Sequence, residues 1–344
     1  MRSQHSGTFS VPVRLLFIGV AAVFLTLGLR ALASILIPIL FSLFATLIFA
    51  PLIHILQKRG IHPAVSVSLV ILLFLLIMAG IGLIVVSAIL QFNEMIPGYQ
   101  SQFIDMTDSF TPYIASMESF SPGSVIRDIG LFLLASMAAI FMGAVNAVTT
   151  IGLIIITTAF LLIDAVGISR RVEREVEEHF VLAVKIRSLG LQVIDYVVIR
   201  TETNLVMGAG TAIVLLIAGV DFAILWGFLA FLLGYIPYIG IMIAIIPPAI
   251  IAFLQYGPLG ALIIVVVILI INVLSDNVLF PSLAGRGLEL SPSVVFLSLA
   301  YWGFVFGPAG AILSTPLTMV IRIILASSEE THWIGELLGE TKKR

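Results

Sequence analysis

The sequence predicts an all-α fold: a polytopic helical membrane protein of about eight spans, with broken or re-entrant helices in its C-terminal half. Three observations carry this. Of the 344 residues, 60% are hydrophobic and 10% charged, against roughly 25% charged in soluble domains. Mean hydropathy is +1.20, and apolar runs near or above the ~18 residues of a membrane helix recur along the whole chain. From Thr203 to Ile321 only Asp221, Asp276, Arg286 and Glu289 are charged, three of them within DNVLFPSLAGRGLE. Hydrocarbon tolerates charge and irregular backbone only where protein or a water-filled cavity shields them. Such a stretch is expected to handle a polar solute. A transmembrane barrel would need short alternating segments, which are absent.

The elements follow in order. Residues 1–92 form an N-terminal three-helix part, with helices at Val13–Leu29, Leu32–Leu56 and Ala64 to about Phe92. Arg2 and Arg14 before the first apolar run, and Ala31-Leu-Ala33 after it, resemble a signal peptide. Arg30 in the would-be cleavage region and the next apolar run favour a retained helix. Residues 93–129 lose apolar character, carry Pro97, Pro112 and Pro122, and are read as an acidic extracytoplasmic segment. A fourth membrane helix occupies 130–163. Residues 164–202 form a charged cytoplasmic helix, where Arg171/Glu175 and Arg174/Glu178 lie four apart. The transport core is expected over 203–326, with a cytoplasmic tail at 327–344.

Within the core, Thr203–Val220 and Leu259–Leu274 read as simple spans. Phe222–Leu254 and Val294–Leu325 are each long enough for one kinked span or for a hairpin of two shorter helices. The positive-inside bias puts both termini in the cytoplasm, leaving only Arg30, Arg127 and Arg286 of the 17 Lys/Arg outside. A hairpin in place of a kinked span would move Arg286 to the other side. Trp226-Gly-Phe228 with Gly234, and Trp302-Gly-Phe304 with Gly310, form a weak internal echo of the kind found in inverted-repeat transporters.

Three elements could carry chemistry. In Gly234-Tyr-Ile-Pro-Tyr-Ile-Gly240, Pro237 frees carbonyls one turn back, and Tyr235 and Tyr238 add hydroxyls at the break. Pro247-Pro248 interrupts the run again. In the second, Asn272 and Asp276 share a helical face and Asn277, Arg286 and Glu289 follow. A carboxylate flanked by carboxamides could bind a cation, carry a proton or hydrogen-bond a solute; the bland reading is a helix cap and an exposed ion pair. In the third, Gly303-Phe-Val-Phe-Gly307-Pro308-Ala-Gly310 has GxxxG spacing for close helix packing, with Ser314, Thr315 and Pro316 beyond. Asn204 reads as an interhelical hydrogen-bonding group, and Arg200 as the cytoplasmic end of its helix.

Composition and motifs also narrow the function classes. The chain has no cysteine, and its five histidines show no metal-ligand spacing. No cofactor and no metal is called for. No basic patch implies nucleic acid. There is no phosphate loop, Ser-centred elbow or HExxH motif, so neither ATP-driven transport within this chain nor an enzyme is expected.

The chain resembles the autoinducer-2 exporter family of bacterial permeases through Ile236–Gly240, Ile246–Pro248, the Asp276, Asn277 and Pro281 pattern, Ser291-Pro292, and Trp302 through Gly307-Pro-Ala-Gly310 to Pro316. The resemblance implies a secondary transporter of the bacterial inner membrane, with a small-molecule or ion substrate. It also implies a homo-oligomer, with a pentamer as the expected state. Some relatives export the quorum-sensing signal autoinducer-2, and others act as sodium(lithium)/proton antiporters. Here Ile241 stands where many members have Pro, and Ser291 where His is frequent. By this resemblance Asp276, Asn277, Asn272, Glu289 and Arg286 would bind substrate or couple an ion. Pro237, Tyr238, Gly240, Pro247, Gly307, Pro308, Gly310 and Pro316 would line the pathway.

Overall fold

The structure is a computed structural model that describes residues 11–114, 150–164, 180–284, 290–327 and 331–339. Helices α1 (Val11–Ala31) and α2 (Ala33–Lys58) are separated by a one-residue break at Leu32. Helix α3 (Pro63–Ile114) is 52 residues long. Its membrane-length part is Pro63–Gln91, as read from sequence, but the helix continues past Phe92 without a break. Helix α4 (Thr150–Asp164) buries Leu162 among Ile53, Val67 and Val70 of α2 and α3. Residues 115–149 and 165–179, which include the second part of the expected acidic segment and the first part of the charged helix, lie outside the described residues.

Helix α5 (Phe180–Ala218) runs straight through residue 202, so Arg200 is an interior helical position. The chain reverses at Gly219 (φ 69°) and returns as the short α6 (Ala223–Leu233). Small residues let these two helices touch. A Cβ on Gly227 would lie 2.5 Å from the Ala212 methyl, and one on Gly208 would lie 2.7 Å from the Gly227 carbonyl. Glycine and alanine at the crossing replace the hydrophobic drive that lipid cannot supply. Helix α7 (Ile239–Leu274) follows, broken at Gly257 (φ 73°, ψ −170°) just before Pro258.

The two segments left open by the sequence are both hairpins. In the first, the Gln255 amide donates to the Asp221 carboxylate at 2.7 Å and the Tyr256 hydroxyl donates to the Ala218 carbonyl at 2.8 Å. These bonds close the base of α6 and the first half of α7, whose tip is the Gly234–Tyr238 turn. Tyr99, on the extension of α3, donates its hydroxyl to the same Asp221 carboxylate. Burial, and then that bond, push the Tyr99 hydroxyl well above the usual phenol range.

After Leu274 comes a π-helical turn, Ser275–Leu279, in which the Phe280 N–H bonds the Ser275 carbonyl five residues back. A short α8 (Phe280–Ala284) follows it. The second hairpin pairs α9 (Pro292–Phe306) with α10 (Pro308–Ser327) across Gly307 (φ 65°). Ser291 caps α9, its hydroxyl accepting the Val294 N–H, with Pro292 in the first turn. The base is closed where the Ser291 N–H bonds the Leu338 carbonyl beside α11 (His332–Leu337). Trp302 and Phe306, near the tip, pack on Leu29, Ala33 and Leu36 beside the α1–α2 break, and the Arg30 guanidinium lies 4.6 Å from the Phe304 ring centre. The hairpins therefore point in opposite directions.

Each hairpin folds back on its own main chain at a glycine: a Cβ on Gly240 would fall on the Leu233 carbonyl, and one on Gly310 would fall on the Trp302 carbonyl. The close packing expected at Gly303 is not found among the described residues, none of which lies within 4 Å of a Cβ there. Gly310→Ala should lower the melting temperature of the purified protein by several degrees, overpacking against main chain costing ~1–3 kcal/mol or more. Gly303→Ala should leave it within about one degree, as open surface positions do.

Candidate functional site

Tyr196, Arg200 and Asn204 are four residues apart on α5 and form one stripe of that helix. Roughly 27 Å of helix separates Arg200 from the Ala218 end, deep enough to need shielding from lipid. Three other elements converge on the stripe: the tip of the first hairpin, the π turn and α10. The π turn widens the helix at the point where a functional side chain must be aimed, a common use of such insertions.

Arg200 is the centre. Its Nη1 lies 2.6 Å from Asp276 Oδ1, and its Nε donates to the Gly234 carbonyl at 3.1 Å, joined there by Nη2. That carbonyl is at the C-terminus of α6, the negative end of a helix dipole. The face of Phe280 lies 5.5 Å from the guanidinium, adding a cation–π contact. One positive charge is thus matched by a carboxylate, a helix end and an aromatic face. Arg200 is 12% exposed and Asp276 35%, so the carboxylate keeps one open side.

Asn272 donates to Asp276 Oδ2 at 3.3 Å and to Met207 Sδ at the same distance. Tyr196 packs edge-on against Phe280 and stands within electrostatic reach of Arg200, Asp276 and Thr315. Tyr235 donates its hydroxyl to Thr201 at 2.6 Å and packs edge-on against Phe44 of α2. At the tip itself the Ile239 N–H bonds the Pro237 carbonyl at 2.7 Å. That closes a γ-turn around Tyr238, whose φ of 63° and ψ of −47° are the strained hand for a residue with a side chain.

The structure brings together Asp276 and Asn272 as expected and joins them, through Arg200, to the turn holding Pro237 and Tyr238. Gly240 closes that turn. The reading of Asp276 as a loop cap fails, because helix continues on both sides of it. Asn277 is exposed and takes no part, and Arg286 and Glu289 lie outside the described residues. Pro247 and Pro316 are buried inside α7 and α10. Gly307, Pro308 and Gly310 belong to the opposite hairpin tip, beside α1 and α2.

Sequence reasoning missed Arg200, which is no helix end but the partner of Asp276. The available signal was its spacing of four from Asn204, inside a run that turns apolar. Asn204 is 1% exposed, yet neither polar atom of its amide has a partner among the described residues.

Opposed helical hairpins around a largely enclosed ion pair, with five helices among the described residues long and apolar enough to cross a bilayer, make this a multi-pass membrane protein, and its family makes it a transporter. Residues 16–330 match the AI-2E family transporter, and the chain belongs to that family. It is 32% identical over 342 residues to a Haemophilus influenzae protein provisionally named a transport protein, covering 94% of this chain and 96% of that one. It is 28% identical over 322 residues to the AI-2 transport protein TqsA of Escherichia coli K12, covering 92% of each. These bacterial relatives support a place in the inner membrane.

Removing one member of the pair should cost more than removing both. Arg200→Leu strands a carboxylate at depth and should lower stability by up to ~3 kcal/mol, the low end for buried pairs because Asp276 is partly open. The Arg200→Leu/Asp276→Leu double variant should recover most of that loss in thermal melts, read as a double-mutant cycle.

Proposed function

We propose that this protein is a secondary transporter that exports a small polar solute, with autoinducer-2 as the candidate, and that protons drive it. The observation that carries this is the Arg200 bridge, one guanidinium shared between the Asp276 carboxylate and the carbonyl at the first hairpin tip. A proton on Asp276 removes the negative charge that pairs with Arg200, and a guanidinium left unmatched at depth is driven toward water, giving up the tip carbonyl as it goes. Proton uptake and pathway opening become one event. The Escherichia coli relative, an AI-2 transport protein, supports the solute. Asn272 keeps Asp276 oriented in both charge states, since a carboxamide donates to a carboxylate and can accept from a carboxylic acid.

The hairpins also bear on orientation. The second half of α7 carries the chain away from the Asp221 layer, so Ala284 lies on the side opposite Asp221. With the termini cytoplasmic, as this reading takes them, that side is the cytoplasm and is the side expected for Arg286. Arg286→Cys, in this cysteine-free chain, should react with an impermeant maleimide in everted vesicles and not in intact cells. Labelling from the outside would invert the assignment.

Transport is tested in everted vesicles given labelled autoinducer-2. Uptake should collapse with a protonophore, and Asp276→Asn should reduce it at least about tenfold, the factor expected from losing roughly 1.4 kcal/mol of coupling. Full, still protonophore-sensitive uptake by Asp276→Asn removes Asp276 from the mechanism. Proton flux driven by sodium or lithium alone would instead mark a monovalent cation/proton antiporter.

A further inference from the structure

Asn204 is the most conspicuous unused group in the bundle. Both polar atoms of its amide lack a partner among the described residues, and the residue is 1% exposed. Buried polar groups at membrane depth are rarely left so, because water cannot take the place of a missing partner. The amide is not idle by distance. A Cβ on Gly234 would lie 2.7 Å from Asn204 Oδ1, so only a glycine fits between this amide and the hairpin tip. The Gly234 carbonyl is meanwhile held by Arg200, one helical turn earlier on the same stripe. A few residues on, Tyr238 sits in a γ-turn of the strained hand. The unpaired amide thus faces the same short segment that holds the strained turn.

We propose that Asn204 is the alternate hydrogen-bond partner of the hairpin tip, taking the Gly234 carbonyl when Arg200 lets go. It is a positioning residue for the transport step. In the state described here the carbonyl belongs to Arg200 and the amide is unpaired. In the second state the amide donates to the carbonyl, and no main-chain group is orphaned in the membrane while Arg200 is away. The proposal rests on Arg200 and Asp276 acting as the switch, but not on which ion or solute is moved.

The test uses the full-length protein with one reporter, Ile236→Cys, which sits on the tip where Ile236 is 7% exposed. Adding Asp276→Asn, which removes the charge that holds Arg200, should speed maleimide labelling of this cysteine. Either Asn204→Leu or Asn204→Ala in that background should slow it again about tenfold, the weight of a single hydrogen bond lost from one state only. Asn204→Leu, close to isosteric with the amide, should also melt a few degrees above the parent because it removes an unsatisfied buried group. Labelling as fast with both Asn204 variants as with Asn204 intact overturns the proposal. So does an Asp276→Asn background that labels no faster, or a melting temperature lowered as much by Asn204→Leu as by Asn204→Ala. Uptake insensitive to protonophore, with the labelling pattern as expected, would sink proton coupling and leave Asn204 in its role.

Discussion

A positive charge buried among helices must be matched by something, and in this protein the match organises the fold. Arg200 needs a carboxylate, so the π turn presents Asp276. It needs further acceptors, so α6 stops short and offers its last carbonyls. It needs a face that tolerates a guanidinium, which Phe280 supplies. Pro237 breaks the helix locally, and Arg200 takes up the Gly234 carbonyl left free at that break. The cost of burying an ion is what makes these four elements meet.

Around this centre the packing is done by small residues and backbone, as expected where lipid gives no hydrophobic preference for one helix over another. Gly208, Ala212 and Gly227 bring α5 and α6 together. Gly240 and Gly310 let each hairpin fold back on its own carbonyl. Large apolar side chains such as Leu216, Ile217 and Leu262 face outward instead, which is the ordinary arrangement when the solvent is itself apolar.

Much of this was legible in the sequence, for identifiable reasons. A lone acid in a long apolar run is expensive, so Asp276 stood out, and helical spacing tied Asn272 to it. The breaks at Pro237 and Gly307-Pro308 could be read because Pro and Gly act locally. Reversal of the chain could not, because it depends on distant bonds such as Gln255 to Asp221, which no local pattern encodes. Arg200 was hidden by its neighbours: at the edge of a charged run, charge counting assigns it to the water.

The base of the first hairpin imposes a further limit. Asp221 accepts from Gln255 at one end of the loop and from Tyr99 on α3 at the same carboxylate, while Tyr256 is fastened to the Ala218 carbonyl. The stretch from Asp221 to Gln255 is therefore a hoop stapled shut at its mouth and moored to a third helix. A hoop held in this way cannot swing as a lid. Its remaining freedom lies at the far bend, which confines any motion of the segment to a few backbone torsions and leaves the outer rim of the protein still while the interior rearranges.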